Sequence, residues 1–393
     1  MAFTIVDFNN FWSPSGGGVR RYHLEKMNYY KRQSADLLVF VMPDSRTWTE
    51  KISDSLVIEH VKAFRFPGKW EYRFIWKKSQ IKPVLEKYLP QIIEVGSPYI
   101  LPSRIRAIAK KVCPAAKLLG FWHADFPVTY VERPLKEKFG KILADLGKKI
   151  AFAYARSEFK DFAGLEVSNE ETRVRIIQNG LKAFELIPLG CNVSLFHPNK
   201  RDIPLREELK QGNPERKILF FPHRFCTEKG LDLLLKAYPV LEEKWKTAPA
   251  IVFAGTGPML PEVLSFVKEH KATRYIGFIS SEETMAKYHA SADFGLALSY
   301  HETFGLSILE SMASGIPQVA ANAGAAMEHV KNSEAGILLE ERTPEALAHK
   351  IAELFDILKN SDLKTKARTY AEKYSWQACF SKQNHLYHQL TDF

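Results

Sequence analysis

The segment Tyr300-His-Glu-Thr-Phe-Gly-Leu-Ser-Ile-Leu-Glu-Ser-Met-Ala-Ser-Gly-Ile-Pro317 decides how the rest of the chain is read. It sets two carboxylates, Glu302 and Glu310, eight positions apart around the backbone-permissive pair Phe304-Gly305. Ser307 to Ala313 read as the first turns of a helix, which puts Phe304, Gly305 and Leu306 at its N-terminal mouth. Unpaired backbone N–H groups and the positive end of the helix dipole gather at such a mouth, and both suit a phosphate. Glu302 stands before the mouth and Glu310 about two turns beyond it, each placed to accept hydrogen bonds from a hydroxylated group. Anion recognition between two hydroxyl acceptors is the layout a nucleotide-sugar requires. A capped helix with two solvated glutamates would give the same pattern, so the remainder of the chain has to discriminate.

Outward from this segment, short apolar runs alternate with helical patterns, which predicts parallel sheets covered by helices. Runs that read as buried strands are Phe3–Phe8, Leu37–Val41, Gln91–Val95, Lys117–Phe121, Ile150–Ala155 and Ala183–Pro188. A second series follows at Ile218–Pro222, Ile251–Ala254, Thr273–Ile276, Phe294–Leu298 and Gln318–Ala320. Between the two series, Asn192–Pro214 is polar and rich in breakers, and it reads as a linker. The expectation is an α/β chain of two Rossmann-like domains facing across a cleft, with ligands at the carboxyl ends of the strands. At 393 residues the chain is long enough for more than one core.

Composition narrows the class. A hydrophobic content of 46% with 25% charged residues is that of a globular protein. No stretch approaches the length of a membrane helix, and the N-terminus lacks a signal-peptide pattern. The four cysteines, Cys113, Cys191, Cys226 and Cys379, are widely spaced and predict reduced thiols. Charge is uneven: residues 1–200 hold 32 Lys and Arg against 20 Asp and Glu, whereas the rest is slightly acidic. Such asymmetry points to an anionic partner for the first half, or else to scattered solvated lysines. The stretch Phe64–Tyr88 interleaves Phe64, Phe66, Trp70 and Trp76 with Arg65, Lys69, Lys77 and Lys82. It reads either as a helix entering the N-terminal core or as a surface lying on an anionic bilayer.

Four further segments carry chemistry. Ser15-Gly-Gly-Gly-Val-Arg20 follows the first strand and opens a helix, so Gly17 and Gly18 let backbone approach an anion closely. His123 lies at a strand end in Phe121-Trp-His-Ala-Asp-Phe-Pro127. Arg224 and Lys229, in Phe221-Pro-His-Arg-Phe-Cys-Thr-Glu-Lys-Gly230, are two cations that could clamp a diphosphate. Ala254-Gly-Thr-Gly-Pro258 and Tyr275-Ile-Gly-Phe278 follow later strands.

Together these segments resemble the retaining glycosyltransferases of family 4. The run from Glu302 to Glu310 resembles their E-x7-E signature, Arg224 to Gly230 their R-x4-KG element, and His123 to Pro127 their H-x-D-x-P segment. Gly17-Gly18-Val19 is similar to their GG-V loop, and Gly255-Thr-Gly257-Pro258 to their G-x-GP turn. The chain departs from the family at Leu189-Gly-Cys-Asn192, where NGVD is usual, and at Ala323-Gly-Ala325, where a GG pair is usual.

The resemblance implies a GT-B fold. Residues 1–200 would form an N-terminal acceptor-side domain and 201–374 a C-terminal domain for the nucleotide-sugar. A helix within 375–393 would pack back on the first domain. It implies a hexosyltransferase that uses a UDP- or GDP-sugar, retains configuration and needs neither metal nor cofactor. By resemblance the catalytic set is His123, Glu302, Arg224 and Lys229. The donor would be held by Gly17, Gly18, Gly257, Tyr275, Ile276, Phe304, Gly305, Leu306 and Glu310. The acceptor would be a lipid or lipid-linked glycan, at the cytoplasmic face of an anionic membrane, with no nucleic acid involved. A catalytically silent nucleotide-sugar or nucleic-acid binder is the alternative. A dehydrogenase is excluded for want of a dinucleotide fingerprint.

Overall fold

The structure is a computed structural model that describes residues 3–12, 17–65, 72–244, 248–300, 302–359 and 362–391. It divides into two compact units, Met1–Pro188 with Trp376–Phe393, and Leu189–Ser375.

In the first unit the strands are β1 (Thr4–Phe8), β2 (Leu37–Asp44), β3 (Trp48–Ser53) and β4 (Leu56–Lys62). A two-residue pair follows, β5 (Phe64–Arg65) with β6 (Arg73–Phe74), then β7 (Ile92–Val95), β8 (Lys117–Phe121) and β9 (Gly164–Glu166). The main sheet runs β3-β4-β2-β1-β7-β8-β9, and only the β3–β4 pairing in it is antiparallel. β1, β2 and β7 are nearly continuous runs of buried Val, Ile, Leu and Phe, as strands covered on both faces must be.

That core nevertheless contains charge. Asp7 on β1 stands beside Glu94 on β7, and Glu166 lies two strands further on; all three are fully buried. Their counter-ion is Lys26, on the helix Gly18–Gln33, whose Nζ donates to Asp7 Oδ2 and Glu94 Oε2, both at 2.8 Å. The helix Trp376–Thr391 closes over the cluster. Its buried Trp376, Cys379, Phe380, Gln383 and Tyr387 form one stripe at helical spacing. Gln383 Nε2 donates to Glu166 at 2.6 Å and to the Tyr22 hydroxyl at 2.7 Å, while the Tyr387 hydroxyl donates to Glu94.

The second unit holds β10 (Ile218–Phe221), β11 (Ala250–Phe253), β12 (Thr273–Tyr275), β13 (Phe294–Ala297), β14 (Gln318–Ala321) and β15 (Gly336–Leu339). All pairings are parallel, in the order β12-β11-β10-β13-β14-β15. Counted within the unit this is 3-2-1-4-5-6, the Rossmann order, and it reverses direction between β10 and β13.

Several sequence expectations are corrected. Ile150–Ala155 is not a strand but the middle of the helix Lys141–Glu158; a short apolar run cannot by itself distinguish the two. Ala183–Pro188 contributes one isolated bridge, Ala183 with Leu165. The supposed linker Asn192–Pro214 packs within the second unit, and residues 189–200, expected in the first domain, belong there too. Phe196 is buried against His289, and Arg368 Nη1 donates to the carbonyls of Val193 and Phe196, both at 2.9 Å. Pro198 and Pro204, read as breakers, open the turn Pro198–Lys200 and the helix Ile203–Lys210, where a missing N–H costs nothing. Phe64–Tyr88 is not one helix: the helix begins at Lys78, and residues 66–71 lie outside the described residues.

Burial raises the Glu94 carboxyl from 4.5 to about 7 although Lys26 opposes the shift, and burial pushes Glu166 the same way. The folded state therefore keeps protons that the unfolded chain releases. Stability from this source is full below the ordinary carboxyl value and declines as pH rises toward the folded value. Buried histidines held neutral, His23 and His223 among them, raise Tm with pH over the same range, so the test is differential: the Tm of wild type minus that of Glu94→Gln should fall as pH rises from 4.5 to 7. A difference that stays constant or grows across this window would refute the assignment.

Candidate active site at the sheet reversal of the second unit

Where a parallel sheet reverses strand order, the loops leaving two neighbouring strands diverge and open a crevice. In the second unit those strands are β10 and β13. Their loops are 222–230 and 298–305, which carry Arg224, Lys229 and Glu302. The crevice is bridged at its floor by His223, whose Nε2–H donates to the Leu296 carbonyl at 3.1 Å. Burial, aided by Lys229, lowers His223 to about 4, so this imidazole is neutral.

Above it, Lys229 Nζ donates to Glu302 Oε2 at 2.5 Å. Burial opposes the charge on Glu302, but Lys229 outweighs it and holds the carboxyl below its ordinary value. Burial likewise works against Lys229, and Glu302 more than compensates, so the ammonium is raised. Both groups are therefore charged at neutral pH. Their side chains remain 25% and 20% exposed, within reach of a ligand. An ammonium has three N–H donors, so one bond to Glu302 leaves two for other oxygens. Arg224 is exposed and makes no ion pair among the described residues.

Glu302 is held by its backbone. Its carbonyl accepts from Ala325 N at 3.1 Å, and a Cβ on Gly324 would come within 2.9 Å of that same carbonyl oxygen. The departure of Ala323-Gly324-Ala325 from a GG pair thus keeps the one glycine that this close approach requires. Three residues on, Gly305 adopts φ +79 as the N-cap of the helix Leu306–Ala313, with no side chain capping it. The mouth is fixed from behind by His329: its Nε2–H donates to the Phe304 carbonyl at 2.6 Å, and its Nδ1 accepts from the Tyr370 hydroxyl at 3.0 Å. Glu310 sits half-buried on this helix.

The neighbouring strand ends lock onto the same loop. Phe225 N donates to Thr256 O at 3.0 Å, and a Cβ on Gly257 would fall 2.4 Å from the Phe225 carbonyl oxygen. Gly257 thus already has a packing reason to be glycine. Gly255 N donates to Gly277 O at 2.8 Å, Ile276 N to Phe253 O at 3.0 Å, and the Tyr275 hydroxyl to Gly255 O at 3.1 Å.

In the first unit, His123 follows β8. It stacks on Phe121 at 4.1 Å and meets Tyr22 and His23 of the helix that Gly17 and Gly18 begin. Asn9 orients it. The Asn9 carbonyl oxygen accepts from Phe11 N at 2.7 Å, so its amide NH2 faces both His123 Nε2, at 3.2 Å, and His23 Nε2. Both imidazoles accept at Nε2, and burial holds both well below their ordinary pKa. Asp125 pairs with Arg175 and fixes the turn beyond His123. The sequence reading missed Asn9, His23, His223 and His329. His23 and His329 are single histidines outside any motif; the signals available were the place of Asn9 just after β1 and that of His223 beside Arg224.

Residues 206–374 match the family model of glycosyl transferases group 1. The chain is 28% identical, over 95% of its length and 93% of the relative's, to a GDP-mannose-dependent alpha-(1-6)-phosphatidylinositol dimannoside mannosyltransferase of Mycobacterium tuberculosis. Over residues 206–374 the chain carries a glycosyl transferases group 1 match, and it is homologous to mannosyl- and glycosyltransferases. The transferase shares the fold of sucrose-phosphate synthase from Thermosynechococcus elongatus, with a TM-score of 0.75 at 17% identity over 99% of each chain. It also shares that of Anabaena HepE in complex with UDP, with a TM-score of 0.70 at 17% identity over 99% of this chain and 100% of the other. The GT-B fold expected from the motifs is therefore present.

Gly324→Ala in the transferase should lower stability by about 1–2 kcal/mol, because it forces a side chain into φ +57 against the Glu302 carbonyl. Calorimetry would register a drop of a few degrees in unfolding of the second unit. An unchanged transition would mean that the Glu302 backbone gives way freely.

Proposed function

We propose that the transferase moves a hexose from a UDP- or GDP-sugar to a hydroxyl of a lipid or lipid-linked glycan, with retention at the anomeric carbon. The observation that carries the reading is the charged Lys229–Glu302 pair at the sheet reversal, beside the helix mouth at Gly305. Cationic donors for a diphosphate and a carboxylate acceptor for sugar hydroxyls thereby share one crevice. The Mycobacterium tuberculosis relative, named for GDP-mannose and a phosphatidylinositol dimannoside, supports the lipid acceptor. The UDP bound by Anabaena HepE supports a uridine donor equally, and so both bases are kept.

In this reading Arg224, Lys229 and the backbone N–H groups of Gly305 and Leu306 hold the diphosphate and stabilise the charge growing on it. Tyr275, Ile276 and the Gly257 turn flank the nucleobase, and Glu310 accepts from the ribose hydroxyls. Glu302, ionised and held by Lys229, accepts from sugar hydroxyls. The bond from the anomeric carbon to the diphosphate oxygen breaks. The acceptor oxygen bonds on the same face, and its proton passes to the departing phosphate. No carboxylate nucleophile is assigned.

Because side-chain cations and a helix terminus neutralise the leaving group, turnover should persist in EDTA. Loss restored only by magnesium or manganese would refute this part. Glu310→Ala should raise KM for the donor by roughly ten-fold or more with kcat nearly kept, since a ribose grip is uniform binding. Glu302→Ala should depress kcat instead, and an unaltered KM in Glu310→Ala would overturn the assignment. Proton NMR of the fresh product should show the anomeric configuration of the donor; inversion would rule out the retaining reading.

A further inference from the structure

A helical hairpin begins four residues after His123. Pro127–Glu132 and Arg133–Phe139 form its first arm, Gly140 at φ +81 turns the chain, and Lys141–Glu158 forms the second. The two arms are tightly joined on their inner faces. A Cβ on Gly147 would meet Leu135 Cδ1 at 2.3 Å and Val131 Cγ1 at 3.2 Å, and Ala144 and Ala151 are buried. Packing within the fold therefore accounts for Val131, Leu135, Ala144, Gly147 and Ala151.

It does not account for the outer face. Ile142, Leu143, Leu146 and Ile150 follow one another at helical spacing on the second arm and Phe139 ends the first; all five are exposed, Ile142 to 86%. An amphipathic helix ordinarily turns its apolar stripe to a core. This one has a second apolar stripe facing outward, a contiguous arrangement that single exposed residues do not make.

Charge indicates what covers it. The acids of the hairpin are largely neutralised within it: Lys148 pairs with Glu132 at 2.6 Å and Arg133 with Glu137 at 3.0 Å. Lys136, Lys138, Lys141 and Lys149 make no ion pair among the described residues; the remaining acids of the hairpin are Asp145 and the buried Glu158, which accepts from Ser103. An apolar stripe edged by lysines matches an anionic bilayer interface, with side chains in the acyl boundary and ammonium groups on phosphates. A second copy of the chain fits less well, since pairing two such stripes sets lysines against lysines. By contrast, the stretch singled out in the sequence, Phe64–Tyr88, leaves only Phe64 and Trp76 as exposed large hydrophobics among its described residues.

We propose that the outer face of the hairpin, from Phe139 to Ile150, is the surface by which the first unit docks on an anionic membrane. The assignment deepens the lipid-acceptor reading and rests on it for its purpose, while the docking itself is measurable without any transfer. Vesicles of phosphatidylcholine alone, and of phosphatidylcholine mixed with phosphatidylglycerol, are sedimented with the full chain. The wild type should bind the mixed vesicles and release them as salt is raised.

The triple variant Ile142→Ser, Leu146→Ser, Ile150→Ser should lose binding by ten-fold or more. Each of Lys138→Gln, Lys141→Gln and Lys149→Gln should lower it about five-fold, the equivalent of roughly 1 kcal/mol per cation. Nucleoside-diphosphate release with a detergent-dispersed lipid acceptor should be the same in wild type and variants. Wild-type chain that ignores the mixed vesicles, or variants that bind as well as wild type, would overturn the docking surface. So would a dimer in solution that the serine variant makes monomeric without vesicle binding. Absent transfer to any lipid acceptor, with vesicle binding intact, would instead count against the lipid-acceptor reading alone.

Discussion

Parallel strands deliver every following loop to the same edge of their sheet, and the site of the second unit depends on that constraint. At the reversal between β10 and β13 it brings a cation from one loop and a carboxylate from another within hydrogen-bonding distance, although they lie 73 positions apart in sequence. The Lys229–Glu302 bond then organises its surroundings. It keeps both groups ionised despite burial and leaves two ammonium N–H directions unspent. Chemistry that develops negative charge on a leaving group is served best by donors already fixed in position, because no reorganisation is needed at the moment of reaction.

Histidines do structural work around this core in one consistent way. His223, His329, His23 and His123 are all held neutral, chiefly by burial, and each spends a ring nitrogen on tying a functional loop to something rigid. For His329 the bond to the Phe304 carbonyl requires the proton on Nε2. For His123 and His23 the amide of Asn9 requires it on Nδ1. The tautomers are thus set by neighbours that never change charge, which makes the loops insensitive to pH near neutrality.

What the sequence revealed followed from spacing. Glu302, Gly305 and Glu310 lie on one continuous strand-loop-helix passage, so their relation survives as a local pattern; the same holds for Arg224 and Lys229. Alternation of apolar runs was enough to give β1, β2, β7, β8 and β10 to β14. Elements whose identity depends on distant partners were hidden. β9 is only Gly164–Glu166, and its inward Glu166 makes sense only beside Gln383, 217 positions away. Ile150–Ala155 read as a strand because the apolar outer face of the helical hairpin blurs the helical period. Pro198 and Pro204 announced a break in regular structure where they in fact begin it.

The chain leaves the first unit at Pro188 and re-enters it at Trp376, and the isolated bridge between Cys191 and Ser375 pins the entry and exit of the second unit side by side. The second unit is in effect an insertion, and this bears on the order in which a ribosome can complete the molecule. The three buried acids of the first unit are synthesised early, but the Gln383 and Tyr387 that cover two of them come after the whole of Leu189–Ser375. At ordinary rates of synthesis that delay is roughly 10–40 s. The second unit can close first, while Glu94 and Glu166 wait in contact with water. The first half of the chain is therefore the last to finish folding.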